Sequence, residues 1–313
     1  MSYATGQTIA AADYNGLAQT TVGGNVAFVL GTGSGQYGYG QDTTAIATVS
    51  STATITATQW AGLVYLINRC LGHQSGVAGQ LATGSNIGIV SGATIAAYAN
   101  VVTAATSIFT NAALFNGTQG TVITGTSLVT YANAAAGAAF TGYVCTRTVT
   151  FASADQARYF FNAGGQINLV LSATQPVAST RTADVATLMG TNIGSLTAFR
   201  NTTNGGRSGT GGTLTATFTG GYRNLTTAYQ IPISIASTTA TYTTDVANVV
   251  VKTNGVQGVN GDVGTIITFA VGLTAPAHSA FNGTLNVGIN HRIDIIPPES
   301  TYLTNSWGTP TVA

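Results

Sequence analysis

Leu285-Asn286-Val287-Gly288-Ile289-Asn290-His291-Arg292-Ile293-Asp294-Ile295-Ile296 is the stretch on which the fold turns. Leu285, Val287, Ile289, His291, Ile293 and Ile295 fall on one face at a period of two. Asn286, Gly288, Asn290, Arg292 and Asp294 fall on the other. That alternation is the signature of a half-buried strand. Pro297-Pro298 ends it, because proline has no backbone N–H to give to a ladder. The 12-residue length is well above the usual strand, and favours a sandwich or a sheet shared with neighbouring subunits.

Outward from this strand the β pattern continues upstream. Ile266 to Val271 and Val246 to Val251 are dense apolar runs, and Ile231, Ile233 and Ile235 alternate, as do Leu214, Ala216 and Phe218. Val144 to Phe151 and Ile167 to Ser172 read as strands around a short helix at 153–163. Ser153-Ala154-Asp155-Gln156 gives that helix a capping box, Ala157, Phe160 and Phe161 its apolar face, and Gly164-Gly165 its stop. Val185, Leu188, Met189 and Ile193 mark one more helix.

The N-terminal part carries a different, weaker pattern. Thr8-Ile9-Ala10 is followed by Tyr14 and Leu17, and Thr54-Ile55-Thr56-Ala57 by Trp60 and Leu63; Thr94-Ile95-Ala96 with Tyr98 and Val101 is a shortened version. In each, a Thr can cap a helix whose aromatic and aliphatic residues then share a face. The expected fold is therefore α+β. Residues 1–140 form a helical and mixed assembly domain of small residues, and 141–298 a mainly antiparallel, sandwich-like β domain. Residues 299–313 form a C-terminal arm carrying Trp307.

Of 313 residues only 17 are formally charged, 9 Lys+Arg and 8 Asp+Glu, for a net charge of +1. That is 5%, where about 25% is usual. Thr, Ala, Gly, Ser and Asn stand in their place. Low net charge promotes association, and burying hydroxyls and amides costs less than burying ions. The composition suits a subunit covered by neighbours, or a Thr- and Gly-rich adhesin. One Lys and eight scattered Arg do not make a phosphate-binding surface, so nucleic acid is not an expected partner. No apolar run is long enough to span a membrane. Met1 to Gln7 lacks a basic and an apolar region, which predicts no secretory leader. Cys70 and Cys145 make no framework and read as reduced thiols, with a single bridge as the alternative.

Chemistry-bearing motifs are sparse. Gly33-Ser34-Gly35-Gln36-Tyr37-Gly38 matches the dinucleotide spacing after Val26 to Leu30, but no capped helix follows and no acid stands about 20 positions on. His73, His278 and His291 are far apart, so neither a metal nor a cofactor is expected. A glycosidase needs two placed carboxylates, and nothing nominates a pair among the eight acids. No catalytic residue is expected.

Several blocks together resemble virion proteins of large contractile-tailed bacteriophages, including phages of cyanobacteria. They are Gly35 to Gln41, Ile55 to Leu63, Asn68 to Gln74, Ala157 to Ile167 and Gly221 to Thr227, followed by Tyr242 and the strand ending Val249 to Asn254. Phe160-Phe161-Asn162-Ala163-Gly164-Gly165 is the most specific patch. The resemblance implies a non-enzymatic structural component of a virion, in the tail, baseplate, neck or fibre attachment. Such a component is assembled in the host cytoplasm from copies of itself and other virion proteins. The alternative is a fibre or adhesin module that binds a receptor or a host surface glycan. Tyr37 and Tyr39, in the loop Gly31 to Gln41, and Trp307, in the arm, are the expected interface contacts, since aromatics in loops and arms often anchor interfaces. For each the competing reading is a side chain folded back on its own domain.

Overall fold

Every odd-numbered residue of Leu285–Ile295 is buried, as the alternation requires, and the strand they form lies inside a sheet with a neighbour on each side. The computed structural model describes residues 8–19, 25–81, 98–112, 119–198, 206–217, 224–257, 262–278 and 283–313. The N-terminal part carries α1 (Ala11–Ala18), α2 (Asn25–Leu30), a 3-10 turn (Thr44–Ile46), α3 (Ala57–Ser75) and α4 (Tyr98–Thr110). Next come β1 (Leu128–Ala134), β2 (Phe140–Thr150), α5 (Ala154–Asn162) and β3 (Gln166–Thr174). Helix α6 (Thr180–Ala186) then runs into a π-helical turn (Thr187–Ile193). The remainder is β4 (Ser195–Ala198), β5 (Gly206–Arg207), β6 (Thr213–Thr217), β7 (Gln230–Ala236), β8 (Val246–Thr253), β9 (Ile266–Ala275), β10 (Leu285–Ile296) and β11 (Thr311–Val312). The fold is α+β, with the strands mostly in the C-terminal half.

All strand pairs are antiparallel. One sheet has the order β1-β10-β3-β4-β5 and the other β11-β2-β9-β8-β7-β6. Because β1 pairs with β10 and β2 with β9, the ribbon of the first two strands lies along the ribbon of β9 and β10 across both sheets. Jelly rolls share that crossing, whereas here β6 to β9 run as a plain meander. Helix α6 and its π turn pack against β3 of one sheet and β7 and β8 of the other, so Val185, Leu188, Met189 and Ile193 are buried.

Local signals account for much of this. Thr56 caps α3 in a full capping box: its hydroxyl accepts from the Gln59 amide, and the Gln59 side chain accepts from the Thr56 amide at 2.8 Å. Ser153 caps α5 by accepting from the Gln156 amide. At α1 the residue before the helix is Ala10, which has no side chain to cap with, so the expected Thr role is absent there. Thr94 to Ala96 and Phe218 lie outside the described residues. In β7 the register shifts between Gln230 and Ile233, which turns Ile231 outward while Ile233 and Ile235 stay buried.

Two expected boundaries move. One continuous apolar core runs from the helices into both sheets, and Gln119, Ile123 and Leu128 to Ala134 already pair along β10 and its continuation, upstream of the expected boundary at 140. The segment 299–313 is not an arm. Leu303 and Trp307 are buried, Arg69 donates to the Tyr302 carbonyl at 2.6 Å, and β11 pairs with β2.

Candidate assembly surface

The loop Gly31 to Gln41 follows a helix, α2, not a strand, which removes the context a dinucleotide site needs. It is a junction inside the molecule. Asn162, at the end of α5, donates through its side-chain amide to the carbonyls of Tyr37 at 2.6 Å, Gly35 at 3.0 Å and Gly38 at 3.1 Å. A Cβ on Gly40 would fall 2.3 Å from the Tyr159 ring, so only glycine lets loop and helix meet. Gln41 then ties the loop to the C-terminal segment, donating to the Thr304 carbonyl at 3.1 Å and accepting from the Thr304 amide at 2.7 Å.

This geometry places the three expected contact residues. Tyr39 is fully buried; its hydroxyl donates to the Ala112 carbonyl at 3.1 Å and accepts from Gln74 at 3.0 Å. Trp307 is buried too, and lines a cleft of about 230 Å³ with Phe160, Ile123, Ile295 and Pro297. Tyr37 is half-buried, stacked on Phe109 at 4.5 Å between centroids and tilted on Phe28. All three are folded back on their own chain.

Two titratable clusters stand inside the fold. In the first, Arg181 at the start of α6 is fully buried and donates to the carbonyls of Ala138 at 2.6 Å and of Ala275 and Pro276 at 3.2 Å. Beside it Ser237 donates to Asp184 at 2.6 Å, and His278 meets Asp245 at 2.8 Å. Burial raises the Asp245 carboxyl above its ordinary pKa, with His278 pulling the other way. Serine and histidine are thus tied to different aspartates, so the hydroxyl has no base in the manner of a catalytic triad. In the second, His73 Nε2 donates to the Ala163 carbonyl at 2.8 Å and Nδ1 stands 3.7 Å from Glu299. The His73 contact, helped by Thr301, holds Glu299 down at about 2 despite burial. His291 meets the Thr130 hydroxyl at 3.0 Å, and burial and then Arg147 lower its pKa. Cys70 and Cys145 are buried thiols not joined in a disulfide, and burial pushes the Cys145 thiol up to about 12. Among the described residues no group of three or more His, Cys, Asp or Glu can hold a metal ion. The Trp307 cleft has no charged side chain in its lining and is smaller than the roughly 300–1,000 Å³ of ordinary ligand pockets.

The surface is the more distinctive feature. Arg147, Arg158, Arg181, Asp184, Asp245, Asp294 and Glu299 are all buried. Among the described residues Asp42 and Asp155 are exposed, Asp155 in an ion pair with Arg158, and Asp13, Arg69, Arg207, Lys252, Asp262 and Arg292 are partly exposed. Charged side chains of ordinary proteins are almost never fully buried. Here they hold backbone or pair with other side chains: Arg147 donates to the Thr126 carbonyl, and Asp294 accepts from the Gly125 amide at 3.2 Å and from Arg292 at 3.0 Å. Among the described residues, what faces solvent is therefore poor in ions. The shortage of charge is legible in the sequence but its placement is not, since the contacts to backbone join residues far apart in the chain; only Arg292–Asp294 is local and on one strand face. Comparison with protein families, with curated proteins and with solved structures finds no match for this chain.

Proposed function

We propose that the chain is a non-enzymatic structural component of a tailed-phage virion, built to be covered by copies of itself and by other virion proteins. One observation carries the assembly part of this reading: a chain with only 17 charged residues turns seven of them inward. A free monomer relies on surface charge to resist association. A surface of Thr, Ser, Asn and Ala can be covered without stripping water from ions. The virion assignment rests on the resemblance of blocks such as Phe160 to Gly165, whose Asn162 and Gly165 have structural work here. Asn162 holds the glycine loop, and a Cβ on Gly165 would lie 2.5 Å from the Phe160 ring. Neither is aimed at a ligand. The test is electron microscopy of particles labelled with antibodies raised against the chain. Regular decoration of one particle layer is the expected result, and particles that never label would remove the virion assignment.

A further inference from the structure

We infer that β1 is a self-association strand, which pairs edge to edge with β1 of a second copy of this chain; this rests on the assembly reading above and names its first contact. Among the described residues the two sheets end in four edge strands, β1, β5, β6 and β11. Natural proteins blunt such edges with very short strands, bulges, prolines or charges. Three of the four are blunted. β5 and β11 are two residues long, and β6 is broken by a register shift between Leu214 and Ala216. β1 has no such guard. It pairs with β10 in unbroken register over seven residues, Leu128 to Ala134. From Gln119 to Ala134 the chain contains no Asp, Glu, Lys, Arg or Pro. The strand holds three successive β-formers, Val129, Thr130 and Tyr131, and Leu128, Val129 and Tyr131 are each about half exposed, at 48%, 48% and 53%. A seven-residue strand offers an edge about 24 Å long, with backbone donors and acceptors along it.

A second copy is the partner that fits. An antiparallel pair of identical strands about a two-fold axis is self-complementary, because each residue meets its counterpart in both directions. The usual obstacle is like charge facing like charge across the axis. Here that obstacle is absent, since neither strand carries a charge. Val129 and Tyr131 share the outward face of their sheet: their β10 partners are Asn290 and Gly288, and a Cβ on Gly288 would come within 3.0 Å of the Tyr131 ring and 3.2 Å of Val129. Joining two β1 strands would continue this five-stranded sheet into its copy with the two apolar side chains on one surface.

Light scattering after size exclusion, from about 1 to 100 µM, tests this on wild type, Val129→Lys and the control Val263→Lys. Lysine at position 129 adds the guard that the edge lacks, on a half-exposed side chain. Val263, 68% exposed, takes the same charge outside any strand. The expected result is concentration-dependent dimers or larger species for wild type and Val263→Lys, with association at least about tenfold weaker for Val129→Lys. Unchanged association of Val129→Lys would overturn the strand contact and leave the assembly reading standing. A wild type that stays monomeric throughout would overturn both. Amide exchange of wild type supplies the check that needs no variant: residues 128–134 should exchange more slowly at high concentration, and equal rates in a sample that associates would overturn the contact.

Discussion

At the scale of single residues, the chain uses its few ions as internal struts, and Glu299 shows how that responds to pH. Its folded pKa of about 2 lies below the ordinary value of 4.5. A depressed carboxyl contributes stability that is present above its unfolded pKa and lost as pH falls through the folded one. Glu299→Gln should therefore lower the unfolding free energy by roughly 1–3 kcal/mol near pH 6. The gap to wild type should close between about pH 4.5 and 2. Urea titrations across that range measure it, and a gap that is constant with pH would show that His73 does not hold the carboxylate. Trp307 separates two roles that its sequence context leaves open. A buried tryptophan replaced by alanine costs about 3–5 kcal/mol through the cavity it leaves. An interface anchor would instead change association with little effect on the monomer's melting. Trp307 is 3% exposed within one chain, so Trp307→Ala should lose thermal stability even in dilute samples where no assembly forms.

At the scale of elements, the signals that were legible are those carried by neighbours in the chain. The two-residue period of Leu285–Ile296 marks β10 and its buried face, the Thr expected to cap the helix of Trp60 and Leu63 does so as Thr56, and Ser153 caps α5 through the Gln156 amide, although the full box falls at Thr56 and not at Ser153. Thr56→Ala removes the acceptor for the Gln59 amide and should cost about 1 kcal/mol, or about 2 °C of melting temperature in a chain this long. Differential scanning fluorimetry resolves that, and no change would mean that the Gln59 half of the box suffices. What was not legible depends on residues far apart. Ile231 reads as part of an apolar alternation, but a bulge against β8 turns it to solvent. Tyr39 looks like an exposed loop aromatic, yet Asn162, 123 positions on, draws the loop inward through its neighbours' carbonyls. The C-terminal segment looks like an arm because Thr, Asn and Ser carry no periodicity; Gln41, 263 residues away from Thr304, holds it down. Likewise β1 was invisible as a strand because its exposed outer side lacks the polar alternation of an ordinary edge, and that same lack makes it the unguarded one.

At the scale of the whole molecule, the inward placement of charge determines how association should respond to solvent. Screening by salt acts on pairs of exposed charges, and at 0.1 M it largely removes those more than about 10 Å apart. Among the described residues the exposed charges, Asp42 and Asp155, are both acidic, and the cations Arg69, Arg207, Lys252 and Arg292 are only partly exposed, so a copy meeting a copy gains little attraction from ion pairs. Raising NaCl from about 0.05 to 0.5 M should then change the association constant by less than about threefold. Sulfate should act differently. It is excluded from protein surface and strengthens effective burial, so it should drive the same assembly forward at matched ionic strength. Analytical ultracentrifugation in the two salt series separates the causes. A tenfold or greater weakening in NaCl would mean that ion pairs hold the copies together, and the ion-poor surface would no longer explain why they meet. An assembly indifferent to NaCl and favoured by sulfate is the behaviour expected of apolar side chains and backbone edges, the two things that β1 presents.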